Sequence, residues 1–211
     1  MPHSLLTWSS ITWFGDTALL LPAAAAFGVV LLLQRSSHGL AVRWAIAYGS
    51  AGLLVLATKI AFMGWGLGIA SIDFTGLSGH SALAAAFWPA AGWMATQCNR
   101  KTARYIGIFI GVALSGAIGI SRHELGAHSA SEIVSGLLVG MAASGWFVSH
   151  ALHTELRHRG AAMVALVFIG ALVMTQHGRP APTTALIERT VMRLLGVAKP
   201  FTRHQLHTQR V

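Results

Sequence analysis

The chain has 211 residues, of which 54% are apolar and only 10% are charged, and it contains 23 glycines. This composition is far more hydrophobic than that of a soluble domain of the same size, so it excludes a soluble globular fold and indicates a protein that resides in the lipid bilayer. The formal charge of +9 does not indicate a nucleic-acid partner, because the basic residues fall in short clusters between apolar runs, where membrane lipids and topology explain them.

The first fifteen residues carry no basic cluster, and Asp16 stands directly before the first apolar run. A cleaved signal peptide is therefore not expected. Trp8, Trp13 and Phe14 instead predict a short segment at the membrane interface, where aromatic rings are favoured.

Six apolar runs follow, and each approaches the length of a membrane-spanning helix: residues 17–34, 44–63, 80–97, 105–120, 133–148 and 160–176. They predict an all-α fold, a polytopic bundle of about six transmembrane helices that forms one domain over residues 1–176. No internal repeat and no soluble second domain is evident in the sequence.

Basic residues are distributed unevenly between alternate loops. The loops after the first, third and fifth runs carry Arg35, Arg43, Arg100, Lys101, Arg104, Arg157 and Arg159. The other two loops carry Lys59, near the end of the second run, and Arg122. Because positive charge accumulates on the cytoplasmic side, the sequence predicts that Lys59 and Arg122 face the outer side of the membrane.

Two polar features mark the second and third runs. Lys59 ends the second run, where an ionisable group needs a partner or a function, or else reaches the interface with its charged end. Ser78, Gly79 and His80 open the third run, where the free N–H groups and the positive end of the helix dipole favour an anion. The same segment would also suit an ordinary helix cap, with Ser78 or Ser81 as the capping residue and glycine in the turn.

The single cysteine and several histidines invite other interpretations. Cys98 excludes an intramolecular disulfide and is interpreted as structural or incidental. His150 and His153, like His204 and His207, are three residues apart, but neither pair has a clear third ligand. Solvated histidines are the simpler interpretation, and neither a metal nor another cofactor is expected.

The loop between the fourth and fifth runs is the richest in reactive groups. If the residues after Leu125 begin a helix, His128 and Glu132 lie four residues apart on one face, and the carboxylate can orient the imidazole. Arg122 offers a planar fork of donors that suits phosphate oxygens, although alone it would equally suit an interfacial anchor. His123 is most simply an exposed loop residue.

Residues 177–211 form a basic C-terminal tail. Within the tail, one apolar stripe comprises Ile187, Val191, Leu194 and Leu195. The stripe indicates an amphipathic helix on the membrane surface, and a partly disordered tail is an equally compatible alternative. Six spans would place this tail outside, whereas its basic residues favour the inside.

These motifs resemble those of the type 2 phosphatidic acid phosphatases, or lipid phosphate phosphatases, in their membrane-bound bacterial form. That family, which shares its site with vanadium haloperoxidases, has a Lys followed after six residues by Arg-Pro, then Pro-Ser-Gly-His, then Ser-Arg, five residues, His, three residues and Asp. The matching residues here are Lys59, Leu77, Ser78, Gly79, His80, Ser121, Arg122, His128 and Glu132. The chain differs in having Gly66 and Leu67 in place of Arg-Pro, Leu77 for Pro and Glu132 for Asp.

The resemblance implies a metal-independent mechanism. His128 would attack phosphorus and form a phosphohistidine, Glu132 would orient its ring, and His80 would protonate the leaving oxygen and then activate water. The phosphate-binding residues that it implies are Lys59, Ser78, Gly79, Ser121 and Arg122.

The resulting expectation is an integral membrane phosphatase acting on a lipid phosphate or diphosphate, in a bacterial plasma (inner) membrane with its site facing the periplasm or exterior. Phosphatidic acid, phosphatidylglycerol phosphate and undecaprenyl diphosphate are the substrates that the resemblance implies. Two alternatives remain: a phosphatase-like protein that binds lipid phosphate without turnover, which the missing arginine would suit, and a small transporter.

Overall fold

A computed structural model describes residues 2–97, 101–154 and 183–208 of the chain. In these ranges the helices are α1 (Pro2–Trp13), α2 (Thr17–Leu32), α3 (His38–Trp65), α4 (Gly79–Ala95), α5 (Lys101–Glu124), α6 (Ala130–Ala151), α7 (Thr183–Leu195) and α8 (Arg203–Thr208). Short 3₁₀ turns flank α3, and no β-strand occurs in the described ranges. The predicted all-α fold is confirmed.

Several helices are long and apolar enough to cross a membrane. In the described part of the chain these stretches are Trp8–Leu32, Arg35–Trp65, Lys101–Glu124 and Ala130–Ala151. By the length and composition of these helices, the chain is a membrane protein. The first five predicted apolar runs coincide with α2 to α6. The sixth, residues 160–176, and Cys98 lie outside the described residues.

The central helix of the bundle is α4, which packs closely against α5 and α6. Most of its residues are buried, and many are alanines. Small residues on the neighbouring helices permit this close approach. A Cβ atom added at Gly111 of α5 would lie 2.6 Å from the backbone nitrogen of Pro89, and one added at Gly140 of α6 would lie 2.6 Å from the Cβ of Ala85. Side chains at these two glycines would push α4 out of place.

A cluster of buried aromatic rings joins α2, α3, α4 and α6 in the half of the bundle remote from the first turn of α4. Phe27 lies 4.3 Å from Trp44 and 5.7 Å from Phe147, measured between ring centroids. Phe87 lies 6.2 Å from Trp44. The Trp44 indole N–H donates to the carbonyl of Ala24 at 2.9 Å, so the polar atom of this ring is satisfied within the apolar core.

Helix direction alternates from α2 to α6, so the starts of α2, α4 and α6 meet the ends of α3 and α5 at one end of the bundle. α5 continues through Arg122 to Glu124, four residues beyond the apolar run, because helical backbone bonding extends into the polar residues that follow. Arg122 therefore occupies the last turn of a helix.

The start of α6 differs from the sequence prediction. The expectation that a helix begins directly after Leu125 is wrong, because α6 begins at Ala130. Gly126 has a φ of 63°, a left-handed conformation that ends α5. Ser129 then caps α6 in a capping box with Glu132, in which each side chain accepts a hydrogen bond from the backbone N–H of the other residue.

The C-terminal helices lie against the same end of the bundle. α7 packs on α3, with Val191 buried and Leu195 facing Gly64. α7 contains the predicted apolar stripe, and within it Val191 is buried whereas Leu194 is 77% exposed. Its location on a membrane surface stays a prediction.

Candidate active site

A cavity of about 580 Å³ opens where α2 and α4 begin and α3 and α5 end. Its wall includes five residues predicted for the site: Lys59, Gly79, His80, Arg122 and His128. Most other lining residues are apolar and come from α2, α3, α4 and α7. No carboxylate is among the described residues that line it. Two cations and two imidazoles therefore form its polar end, which suits an anion.

Lys59 and Arg122 bring positive charge to this cavity from two different helices. The Arg122 Nη1 donates to the hydroxyl of Thr12 at 3.1 Å, which holds the guanidinium against α1. Its Nε is buried and has no hydrogen-bond partner among the described residues. A buried donor without a partner costs about 1–3 kcal/mol, so the guanidinium retains hydrogen-bonding capacity beside the cavity.

His128 lies in the loop before α6, and its ring is held by Glu132. The Nδ1 atom is 2.6 Å from Glu132 Oε2. An ionised carboxylate only accepts hydrogen bonds, so Nδ1 carries the proton and the lone pair of Nε2 stays available. Burial lowers the pKa of the His128 imidazole, and this effect exceeds the opposing effect of the hydrogen bond to Glu132. The ring is therefore mainly neutral at neutral pH.

The carboxylate of Glu132 is fully buried and surrounded by donors. Oε2 accepts from His128 and, at 3.3 Å, from the N–H of Ser129. Oε1 accepts from the backbone N–H of Thr75 at 2.8 Å and from the Thr75 hydroxyl. Arg203 of α8 donates from Nη2 to both oxygens, at 2.8 and 2.9 Å. The carboxylate cannot rotate without losing several of these bonds at once.

His80 also has a carboxylate partner. Its Nε2 lies 3.7 Å from Oδ2 of Asp16, which is 4% exposed. Asp16 caps α2, where its Oδ1 accepts from the N–H of Ala18 at 2.7 Å. The site therefore contains two imidazole–carboxylate pairs, one joining the starts of α2 and α4 and the other at the start of α6.

Ser78 and Ser121 lie behind the cavity wall. Ser78 is the N-cap of α4, and its N–H donates to the backbone carbonyl of Glu132 at 3.1 Å, so this donor is already used. Ser121 is fully buried, and its hydroxyl donates to a backbone carbonyl of its own helix at 2.6 Å. Gly79 and His80, in the first turn of α4, do line the cavity, and the N–H groups at the start of a helix favour an anion.

Gly66 stands where the resemblance would place an arginine. It caps the end of α3 with a φ of 69°, a conformation that glycine adopts without strain. The ring of Phe201 covers it, because a Cβ atom added at Gly66 would lie 3.1 Å from that ring. His123 is exposed on the last turn of α5 and is not on the cavity wall. Neither position adds a cation to the cavity.

Sequence reasoning missed Asp16, Thr75 and Arg203. The chain has only six acidic residues, and an acid directly before an apolar run needs a partner, so a pairing of Asp16 with a site histidine could have been anticipated. Thr75 and Arg203 gave no such signal. Within the described ranges no three His, Cys, Asp or Glu side chains form a metal-binding group, and His207 instead contacts Asp73 at 2.8 Å.

An apolar groove leads from the cavity along the bundle. A second cavity of about 480 Å³ is lined by α2 and α3, and it shares Leu21, Tyr48 and Gly49 with the first. The combined groove follows α2 from Thr17 to Leu32, a length of about 22 Å at 1.5 Å per residue. Together, the polar cavity and the groove can hold an anionic group joined to an apolar chain.

Comparison with known proteins gives one relative over the whole length. No protein-family model matches the chain, and no solved structure matches it. A Klebsiella pneumoniae protein described as an "Uncharacterized 22.5 kDa protein in cps region" is 41% identical over 207 residues, which cover 97% of this chain and 99% of the relative.

Proposed function

This chain and the Klebsiella pneumoniae protein belong to one family, and since that relative's name states no activity, we propose a function from the site itself. The protein hydrolyses a phosphate or diphosphate ester of a membrane lipid, through a phosphohistidine intermediate and without a metal. The observation that carries this proposal is the convergence of Lys59, His80, Arg122 and His128 on one cavity that continues into an apolar groove.

In the first chemical step, Nε2 of His128 attacks phosphorus while the bond from phosphorus to the lipid oxygen breaks. His80, in the protonated form that its pairing with Asp16 stabilises, gives its proton to that oxygen, so the lipid leaves as an alcohol or, from a diphosphate, as a monophosphate. In the second step, neutral His80 takes a proton from water, and the water oxygen attacks phosphorus. The P–N bond breaks, inorganic phosphate forms, and His128 returns to its starting state.

Charge on the transferred phosphoryl group is stabilised by the residues around it. Lys59 and Arg122 line the cavity, where their charges would lie close to the phosphoryl oxygens. The N–H groups at the start of α4 add the positive end of a helix dipole. These groups replace the role that a metal ion takes in other phosphatases.

Two other functions remain candidates. A protein that binds lipid phosphate without hydrolysing it is supported by Gly66, which stands where the resembling family has a phosphate-binding arginine. A small transporter is less well supported, because the reactive residues gather at the ends of the helices rather than midway along them.

Purified protein should release phosphate from lipid monophosphates or diphosphates in the presence of a chelator such as EDTA, because the proposed charge stabilisation uses no metal. The assay takes a panel of such lipids in mixed micelles and measures inorganic phosphate. Activity that disappears in chelator and returns with a divalent cation would exclude this mechanism. Binding of the same lipids without any phosphate release would identify a protein that binds lipid phosphate but does not hydrolyse it.

The groove should hold the lipid chain, and Gly49 tests this because it lies at the junction of the two cavities with no atom near its missing side chain. In Gly49→Leu, we expect the ratio of kcat/KM for a long-chain phosphate to that for a short-chain phosphate to fall about tenfold. This corresponds to lost burial of about two CH₂ groups. The matched control is Gly145→Leu, at an equally open helical glycine of α6. An unchanged ratio in Gly49→Leu would remove the groove from substrate binding.

The site should face outward, because the loop cations mark the opposite end of the bundle as cytoplasmic. Single cysteines are placed at Ala127, exposed beside the site, and at Gly39, exposed at the opposite end, in a Cys98→Ser background. In intact cells, a membrane-impermeant maleimide is expected to label the first position and not the second. The reverse pattern would overturn the topology.

A further inference from the structure

The C-terminal strap, defined as residues 201–208, brings a cation to the back of the site. We propose that Arg203 of this strap is a positioning residue for His128, which it controls by fixing the Glu132 carboxylate against the imidazole. The effect of Arg203 on catalysis rests on the proposed function. Its effect on the His128–Glu132 pair can also be measured without turnover, from the titration of His128.

The strap is docked on the end of α3 by contacts that do not involve charge. The N–H of Phe201 donates to the carbonyl of Met63 at 2.8 Å. The Phe201 ring meets Phe62 edge-on, with 5.6 Å between centroids. Farther along, Leu206 lies over Gly68, where an added Cβ atom would come within 3.1 Å of it. These contacts fix the strap backbone, so Arg203 starts from a defined position.

The guanidinium of Arg203 bridges two carboxylates. Nη1 donates to Asp73, and Nη2 donates to both oxygens of Glu132. Asp73 is held from the other side by His207, at 2.8 Å. Because the guanidinium is planar and rigid, fixing one edge on Asp73 sets the direction of the edge that reaches Glu132. A lysine at this position would supply charge but could not span both carboxylates in this way.

The Oε2 atom of Glu132 is shared between Arg203 and His128. Arg203 therefore sets both the orientation of the carboxylate and how much of its negative charge acts on the imidazole. Its removal should loosen the ring and favour the protonated imidazole, which cannot attack phosphorus. Substrate phosphate would be bound by other groups, on the cavity wall. Loss of Arg203 should therefore lower kcat and leave KM nearly unchanged.

Ionisable groups from several helices lie near His128. Besides Arg203, these groups are Lys59 on α3, His80 on α4, Arg122 on α5 and Glu132 on α6, and Asp16 at the start of α2 contacts His80. Arg203 differs from the other cations because it contacts Glu132 and is not among the residues of the cavity wall. Its variants therefore change the His128–Glu132 pair without removing a wall residue.

The kinetic test compares Arg203→Gln, Arg203→Lys and Asp73→Asn with the wild type. We expect Arg203→Gln to lower kcat about tenfold or more with little change in KM, and the acid side of the kcat/KM profile to move to higher pH. Arg203→Lys should recover part of kcat because it keeps the charge. Asp73→Asn should resemble a mild form of Arg203→Gln. The matched control is Arg189→Gln, which removes the same charge from an exposed position on α7 and should behave as wild type.

A second measurement needs no activity. Diethyl pyrocarbonate acylates neutral imidazole, so peptide mapping of His128 modification against pH gives the midpoint of its titration. We expect this midpoint to rise by about half a unit or more in Arg203→Gln and to stay constant in Arg189→Gln. If Arg203→Gln does not fold, as judged by thermal melting, kcat and the midpoint of His128 are measured in Arg203→Lys and Asp73→Asn instead.

The outcomes separate the two proposals. Wild-type kcat and an unchanged midpoint in Arg203→Gln would overturn the role of Arg203 and leave the proposed function standing. Equal losses in Arg203→Gln and Arg189→Gln would also overturn it, because a general charge effect would then suffice. If the wild type releases no phosphate, the proposed function fails, and the midpoint alone decides whether Arg203 controls the pair.

Discussion

Replacement of His128 by alanine is expected to lower phosphate release about 10³-fold or more, because it removes the atom that would bond to phosphorus. Release of phosphate from one lipid substrate by purified protein measures this loss. The matched control is His123→Ala, which removes an exposed histidine at the end of α5 and should retain activity. Undiminished hydrolysis by His128→Ala would exclude it as the nucleophile.

The intermediate should also leave a covalent trace. Protein mixed with a phosphorus-labelled lipid phosphate and quenched in alkali within milliseconds should carry acid-labile, alkali-stable label on the peptide that contains His128. His128→Ala should carry no label, since it lacks the nitrogen that would bond to phosphorus. If the protein only binds or transports lipid phosphate, neither the wild type nor the variant should carry label.

The pH profile follows from the burial of His128. Because burial lowers the pKa of this imidazole, the neutral nucleophile persists below the usual histidine value of about 6.5. On the acid side, kcat/KM should therefore fall only at a pH below that value, and the fall should accompany protonation of His128.

Glu132→Gln is expected to lower turnover about 10³- to 10⁴-fold with little effect on apparent substrate binding, as happens when the carboxylate of a catalytic histidine is replaced by its amide. Each oxygen of Glu132 faces donors only. The amide must therefore direct its NH₂ group either at Thr75 and Arg203 or at His128. In the second orientation it donates to Nδ1, and the proton moves to Nε2, where it blocks the attack on phosphorus.

Steady-state kinetics of purified Glu132→Gln, with kcat and KM separated, tests this expectation. Wild-type turnover would remove Glu132 from the site. Glu132→Asp has the residue of the resembling family, but its shorter side chain cannot keep His128, Thr75 and Arg203 together, so partial activity is expected. A Ser129→Ala variant, which loses the hydroxyl half of the capping box, helps to separate helix capping from orientation of the imidazole.

Features that depend on neighbours in the sequence could be predicted. The apolar runs of α2 to α6 follow from composition alone, and the contact between His128 and Glu132 follows from their spacing. The reason given for that contact was incorrect, since His128 lies outside α6. The contact forms because the capping box places Glu132 at the third position of the helix and turns its carboxylate back toward the preceding loop.

Features that depend on tertiary packing could not be predicted. Arg203 lies 71 residues beyond Glu132, and Asp16 lies 64 residues before His80. No periodicity links such partners, because their meeting depends on how the helices and the strap are packed. Ser78 and Ser121 have the right motif positions, yet backbone hydrogen bonding draws the Ser78 N–H and the Ser121 hydroxyl away from the cavity. A motif gives the residue types, but only the folded structure shows which of their atoms are available to a ligand.

The shortness of α4 has a consequence for how a lipid is handled. Its 17 residues span about 25 Å, less than the roughly 30 Å of a bilayer's hydrocarbon core, and its first turn carries Gly79 and His80. If the other end of α4 is level with its neighbours, the polar end of the cavity lies below the level of the surrounding head groups. Under the proposed function, a lipid would move its phosphate inward to reach Gly79 and His80 while its chain keeps its usual depth. Under the proposed function, we therefore expect inorganic phosphate to leave toward water and the lipid product to leave sideways into the bilayer, along the groove between α2 and α3.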